Sequence, residues 1–167
     1  ALDLARAGGE KATFWQERAN LLTPVAKAFS TDVGVEVASR GIQVHGGMGF
    51  IEETGAAGLL RDARIAPIYE GTNGIQAIDL VMRKLPQSGG EHIRAYIEEL
   101  RAEADGLRRS NLDGLGRSAD LLERAVDDLA AATEALLAMQ SSGQAEAALA
   151  GATPYLKLFA LASGGAF

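Results

Sequence analysis

The sequence predicts an all-α protein, an antiparallel helix bundle with extra C-terminal helices. Three observations lead to that reading. Apolar residues recur at three- and four-residue steps along most of the chain, the spacing of one face of a helix. No stretch alternates apolar and polar residues for long enough to specify a strand. The stripes break at Gly8-Gly9, at Gly46-Gly47 and across Pro86 to Gly90, where glycine or proline would end a helix.

Taken in order, Leu2, Leu4 and Ala5, then Phe14, Trp15, Ala19 and Leu22, fit one side of a single helix or of two helices parted at Gly8-Gly9. Thr23-Pro24 reads as a cap residue followed by proline at the first helical position, where a missing N–H costs nothing. From there Val25, Ala28, Phe29, Val33, Val37 and Ile42 predict a helix of about twenty residues that closes near His45-Gly46-Gly47. Thr54-Gly55 opens a short helix through Leu59, Leu60, Ala63 and Ile65, and Pro67 stops it. Thr72 caps the next, residues 75–85, with Ile75, Ile78, Leu80, Val81 and Leu85 as its apolar side.

Pro86-Gln87-Ser88-Gly89-Gly90 is the clearest linker, so residues 1–85 are expected to form one helical domain and residues 91–167 a helical extension. In that extension Ile93, Tyr96, Ile97, Leu100, Ala104 and Leu107 make one stripe, SNLDGLGR at 110–117 reads as a loop, and Leu121, Leu122, Val126, Leu129, Leu136 and Met139 make a longer stripe. Thr153-Pro154 opens a last helix, with Tyr155, Leu156, Leu158, Phe159 and Leu161 on it, that ends at Gly164-Gly165.

Charge and composition narrow the function. The 16 Lys and Arg against 22 Asp and Glu give a net charge of −6, which argues against nucleic acid and anionic membranes as partners. Residues 86–167 are the acidic half, with 7 basic and 12 acidic side chains against 9 and 10 in residues 1–85. There is no cysteine, hence no disulfide and no thiolate metal site, which suits a reducing cytoplasm. No apolar run approaches the ~20 residues of a membrane span. The opening ALDLARAGGEKATFW has no signal-peptide layout and reads as the interior of a longer chain.

Candidate chemistry gathers between Gln43 and Gln76. Glu70 stands alone among Pro67, Ile68 and Tyr69 on one side and Gly71 on the other, and such neighbours are expected to desolvate its carboxylate, which makes a glutamate a stronger base. Its place two residues before a helix cap favours the anionic form instead, so exclusion of water by a bound substrate is expected to decide the balance. Gly46, Gly47 and Gly49 either leave backbone N–H groups free for a pyrophosphate or simply end a helix, and spacing alone favours the second. Arg61 is either an internal brace for the following loop or a solvated helix residue. Glu98, Glu99, Glu103 and Asp105 read as a solvated face rather than a metal site, and Asp127-Asp128 cannot be told from surface charge. His45 either touches a bound cofactor or closes the helix, with closure favoured, His92 has no ligand-spaced partner, and Tyr69 reads as pocket wall or core rather than an acid.

In register, these motifs resemble the C-terminal helical domain of the acyl-CoA dehydrogenases, flavoenzymes that desaturate an acyl thioester between its α and β carbons. Gln43, Gly46 and Gly47 match the family's Q-x-x-G-G, Arg61-Asp62 its R-D pair and Glu70-Gly71-Thr72 its E-G-T, with 27 residues from Gln43 to Glu70. VHGGMGFIEETGAA and YEGTNGIQA are further similar to a branch with an additional C-terminal helical region.

The resemblance implies that Glu70 removes the α-proton, with its own backbone N–H among the donors to the thioester carbonyl. It implies that Gly71 lines the substrate path, that Thr72, Asn73 and Gly74 meet FAD, and that Gln43, Gly46 and Gly47 hold the FAD of a neighbouring subunit. The family often has Ser-Gln where this chain has Asn73-Gly74, so side-chain contacts there stay open. Acyl-CoA, an electron-transfer flavoprotein or similar acceptor, and a homodimer or homotetramer are the implied partners. Complete members carry an N-terminal helical domain and a middle β-domain that hold most of the flavin and substrate. This piece is therefore expected to fold, bind FAD weakly and turn over nothing alone. An acyl-CoA oxidase and a helical oligomerisation module without chemistry are the competing expectations.

Overall fold

The periodicity of the sequence is realised as helices throughout. The structure is a computed structural model that describes residues 1–9, 11–110 and 113–167, and among these there is no strand. α1 (Leu2–Arg6) is followed by α2 (Ala12–Val44), α3 (Gly47–Phe50), α4 (Ala56–Ala63), α5 (Asn73–Asp79), α6 (Glu91–Ser110), α7 (Ser118–Ser141), α8 (Ala145–Ala150) and α9 (Ala152–Ala166). The chain parts at Gly8-Gly9, both at positive φ, so the early apolar residues belong to two helices. The loop expected at 110–117 lies partly outside the described residues.

Side-chain pairings show how the helices run. Arg94 pairs with Glu134, Arg101 with Asp127 and Arg108 with Glu123, so partners ascend α6 as they descend α7. Likewise Leu136 lies beside Gly151, Thr133 bonds Tyr155 and Leu122 lies beside Gly165, which sets α9 antiparallel to α7. Asn73 bonds to Ala28, Thr31 and Asp32 of α2, whereas Ser88, beyond α5, donates to Glu17. α2, α5, α6, α7 and α9 thus alternate in direction, as the short connections between packed helices require.

One buried cluster joins these helices. Leu21, Val25 and Ala28 of α2, Ala77, Leu80, Val81 and Leu85 around α5, and Ile93, Leu100, Val126, Leu129 and Phe159 beyond the linker all belong to it. The stripes of α6 and α7 are buried as expected, with Leu107 and Met139 only partly covered at the edge of the core and Leu121 exposed. Leu161 of α9 is also exposed, because α9 is covered by α7 and α2 on its other faces.

Three local expectations need correction. Thr23-Pro24 does not start a helix: α2 runs unbroken from Ala12, with Pro24 inside it and buried. An interior proline costs about 3 kcal/mol in isolation. Burial of Pro24 between Leu21 and Val25 offsets that cost, and the Thr23 hydroxyl donates to the Ala19 carbonyl at 2.7 Å instead of capping. Ile75 and Ile78 are exposed, and the apolar side of this segment is Ala77, Leu80, Val81 and Leu85. Val33 and Val37 are exposed as well, because the bundle covers only the first half of α2.

Pro86 also shapes the turn before it. Leu85 N–H donates to Leu80 O at 2.9 Å, a five-residue closure over Leu80–Lys84. That leaves the Val81 carbonyl without a backbone donor, since proline has none to offer. Gln140 of α7 supplies it, its Nε2 donating to Val81 O at 2.7 Å.

Sequence periodicity gave no sign of Arg18, which is buried at 5% exposure on the packed side of α2. Its guanidinium donates to both Glu99 carboxylate oxygens at 2.6 and 2.7 Å and lies over the rings of Phe14 and Tyr96. Planar bidentate pairing and ring stacking are what make arginine tolerable in such a place. Glu99 stays exposed at its outer edge, as expected of the acidic face, but it is tied to Arg18 and not free in solvent. Beside it, His92 is buried against Phe14, with Nδ1 3.6 Å from a Glu17 oxygen. Burial, aided by the Arg18 charge and opposed by Glu17, holds the His92 imidazole below its ordinary pKa.

Candidate active site

The Gln43–Gln76 segment is assembled on the second half of α2. α2 closes as expected at His45, whose N–H donates to Gly41 O at 3.2 Å. Gly46 follows at φ 61°, ψ −143°, a conformation that a side chain would forbid. Gly49 is needed for a different reason: a Cβ there would sit 2.4 Å from the Ile42 carbonyl oxygen, so its absence lets α3 fold back on α2. Around Gly46 and Gly47 nothing lies within 4 Å of where a Cβ would be, and Gln43 is exposed one turn earlier. Among the described residues the Gly47 N–H has no backbone acceptor.

Arg61 of α4 donates to both oxygens of Glu52 at 2.6 and 2.9 Å, and both side chains are exposed. The pair lowers the Glu52 pKa, first through the hydrogen bond. Arg61 thus braces the turn before α4, and this pairing does not reach the Glu70 loop.

After α4 the chain winds through a turn over 65–69, with Ile68 and Tyr69 N–H both donating to Ile65 O. Glu70 comes next at φ 53°, one of two non-glycine residues at positive φ among those described, and Gly71 follows at φ 86°. Asn73 N–H closes the loop on Pro67 O at 3.0 Å, and Gln76 Nε2 reaches the Glu70 carbonyl at 3.3 Å. Thr72 caps α5 as expected, its Oγ1 accepting from Ile75 N–H at 3.3 Å.

Expected desolvation of Glu70 is absent. Glu70 is exposed, and Ile68 and Tyr69, 58% and 51% exposed, turn outward with it. Neighbours in sequence do not cover a residue; cover must come from across the chain, and among the described residues this turn is left exposed. Tyr69 is accordingly not part of this chain's core. Glu70 is in no ion pair, and its N–H donates to no backbone acceptor among the described residues. Asn73 is likewise not free to meet a ligand with its side chain. Its Nδ2 has Ala28 O, Thr31 Oγ1 and Asp32 Oδ1 at 3.1, 3.0 and 2.7 Å, and its Oδ1 accepts from Lys27 Nζ at 2.9 Å.

The two motif clusters do not converge within one chain. Asn73 docks at Thr31, and Gln43 lies twelve residues further along α2, roughly 18 Å at about 1.5 Å per residue. A cavity of about 180 Å³ lies behind the Glu70 turn, between Ala28, Phe29 and Val33 of α2, Asn73 and Ala77 of α5, and Leu156 of α9; Glu70 does not line it. Lys27 joins the site only through the fold, since its contacts to Gly71 and Asn73 span 44 and 46 residues and leave no local sequence signal.

Comparison with known proteins bears on this geometry. The family model described as acyl-CoA dehydrogenase, C-terminal domain, matches residues 4–85, and that described as acetyl-CoA dehydrogenase C-terminal like matches residues 90–167. The chain belongs to the acyl-CoA dehydrogenase family. It is 46% identical over 159 residues to the 3-methylmercaptopropionyl-CoA dehydrogenase of Ruegeria pomeroyi, covering 94% of this chain and 26% of that protein. It is 35% identical over 91 residues to a butyryl-CoA dehydrogenase of Syntrophomonas wolfei, 54% of this chain and 15% of that one. Acyl-CoA dehydrogenase family member 11 of Caenorhabditis elegans is 35% identical over 109 residues, 65% of this chain and 17% of that one. The acyl-CoA dehydrogenase segment thus spans about a quarter or less of these relatives, and the all-α fold expected from the motifs is the one observed.

Proposed function

We propose that the chain is the C-terminal portion of an FAD-dependent acyl-CoA dehydrogenase that introduces a double bond between the α and β carbons of an acyl-CoA thioester. Glu70 is the base. The observation that carries this reading is the Glu70 turn itself: an exposed carboxylate with no ion-pair partner among the described residues, on a left-handed residue, in a loop closed by Asn73 and capped by Thr72. Strained backbone at a non-glycine residue is common at functional sites because the surroundings must hold it there.

The chemistry asks for a base and for donors. A thioester α-proton is far less acidic than a glutamic acid, so the developing oxyanion needs hydrogen bonds. The Glu70 N–H, which has no backbone acceptor among the described residues, supports that role. The Glu70 carboxylate takes the α-proton, the C–H electron pair becomes the new π bond, and the β-carbon gives up its hydrogen with both electrons. FAD, when bound, supplies the acceptor for that hydride.

The glycine turn fits a pyrophosphate, because Gly46 and Gly47 leave room where side chains would stand. Gln43, Gly46 and Gly47 would hold FAD of a neighbouring subunit, and Thr72 and Gly74 that of their own, with the Asn73 side chain withdrawn from the set. Gly71 lines the substrate path, and Arg61 braces the α4 turn. Cover for Glu70, and for exposed apolar side chains such as Val44, Phe50 and Leu59, comes from the rest of a longer polypeptide or a second copy in a homodimer or homotetramer. An electron-transfer flavoprotein or similar acceptor takes the electrons, in the cytoplasm. No helix of the described residues is long and apolar enough to cross a membrane.

Replacing Glu70 by Gln in the longer flavoprotein tests this. The variant is expected to retain flavin absorbance and acyl-CoA binding while losing α-proton abstraction; near-normal turnover would remove Glu70 from its role. The 167-residue chain alone is expected to reduce no dye with acyl-CoA, and bound flavin with dye reduction would overturn that.

A further inference from the structure

Glu70 and Gly71 are two successive left-handed residues, at φ 53° and 86°. An L-residue is strained in that region, so a turn built this way relaxes unless something holds it. Two side chains do so from behind. Gln76 Nε2 donates to the Glu70 carbonyl at 3.3 Å, and Lys27 Nζ of α2 donates to the Gly71 carbonyl at 2.7 Å. The same ammonium donates to Asn73 Oδ1 at 2.9 Å, and Asn73 is itself stitched to Ala28, Thr31 and Asp32. A lysine has three donors, and two are spent on this loop.

A peptide group is planar and trans, so its C=O and N–H point opposite ways. Holding the Gly71 carbonyl back against α2 therefore turns the Thr72 N–H away from α2, and the Gln76 bond turns the Gly71 N–H away from the Gln76 side chain on α5. Of these two planes, Glu70–Gly71 flanks the Glu70 Cα directly, and Gly71–Thr72, held by Lys27, anchors the next link of the same turn to α2. Gly71 stands at φ 86°, where any side chain would be strained, and a Cβ there would meet Gln76 Nε2 at 2.9 Å and push that donor aside.

We infer that Lys27 is a positioning residue for Glu70: with Asn73 it ties the Glu70-Gly71 turn to α2 and so aims the carboxylate. The inference rests on Glu70 being the base. It assigns to Asn73 a role in holding the loop, where a family pattern at that position implied a flavin contact.

The test uses the longer flavoprotein with Lys27→Met, Lys27→Arg, Asn73→Ala and the Lys27→Met/Asn73→Ala pair, and Glu70→Gln as reference. A misplaced base loses on the order of 10–10² in rate without losing its ligand. Lys27→Met is expected to lower kcat by that factor with KM within about twofold, with bound flavin and unfolding midpoint close to those of the parent. Lys27→Arg, which can still donate to both acceptors, is expected to recover most of the rate. Asn73→Ala should show the same loss in kcat, and the double variant should be no slower than either single one, because the two residues act as one tie.

Parent-like kcat in Lys27→Met beside an inactive Glu70→Gln would overturn the role of Lys27 and leave the base in place. Equal losses in flavin content, KM and kcat would also overturn it, by showing a merely structural part. Turnover in Glu70→Gln would overturn the base assignment first, and the Lys27 role with it.

Discussion

The two halves of α2 live in different surroundings. Its first half sends Leu21, Val25, Ala28 and the Arg18 pair into a core shared with α5, α6, α7 and α9. Its second half carries the glycine turn, α3 and α4, and there Val37, Val44, Phe50, Leu59 and Ile68 are exposed. Stability is made where no motif lies, and the motifs lie where few apolar side chains are buried. The difference teaches that the chemistry-bearing ledge is held by polar ties and by glycine geometry, with Lys27, Asn73 and the Arg61–Glu52 pair as the fastenings.

The sharpest way to break that contrast is to truncate an aromatic side chain in each half. Phe159 is fully buried between Tyr96 and Tyr155. Phe159→Ala is expected to cost about 3–5 kcal/mol in urea unfolding. Phe50, 79% exposed on the ledge, should change stability by no more than about 0.5 kcal/mol as Phe50→Ala. Similar losses from both would show that the ledge is part of the core after all.

Acid should loosen the well-packed half first. His92 has its pKa lowered by burial and by Arg18, and Glu99 by its hydrogen bonds from Arg18. Both groups bind a proton more weakly folded than unfolded, so their stabilisation is full above the unfolded values and is lost as pH falls through the folded ones. Stability is expected to decline from about pH 6.5 for His92 and again below about pH 4.3 for Glu99. His92→Gln should flatten the first decline in a pH series of urea midpoints and leave the second. An unchanged profile would mean that the Glu17 carboxylate offsets the penalty.

The smallest effect is expected at the brace. Arg61 and Glu52 are both largely in water, and such pairs add little to global stability. Arg61→Ala should leave the unfolding midpoint unchanged and speed amide exchange in the turn over 52–54. A lowered midpoint would tie that turn to the core more tightly than the exposures of the two side chains indicate.

Much of this was legible in the residues. The stripes of α6 and α7, the Thr72 cap, helix closure at His45 and the all-α class all follow from local spacing, because burial on one face leaves a periodic trace. Pro24 misled because its helix is held by contacts on both sides that no local rule records. Ile75 and Ile78 misled because a stripe says that a face is apolar, not that this chain covers it.

By itself the sequence determined which residue types the chain offers, in what register, and where helices must break, since propensity and periodicity act between neighbours along the chain. Only the tertiary structure decided that Arg18 would go inside, that the Val81 carbonyl left bare by Pro86 would be met by Gln140, and that Lys27 would reach 44 residues ahead to hold the Gly71 carbonyl. Those are contacts between distant segments, and their free energy depends on distance and direction in space, which the spacing of residues does not encode.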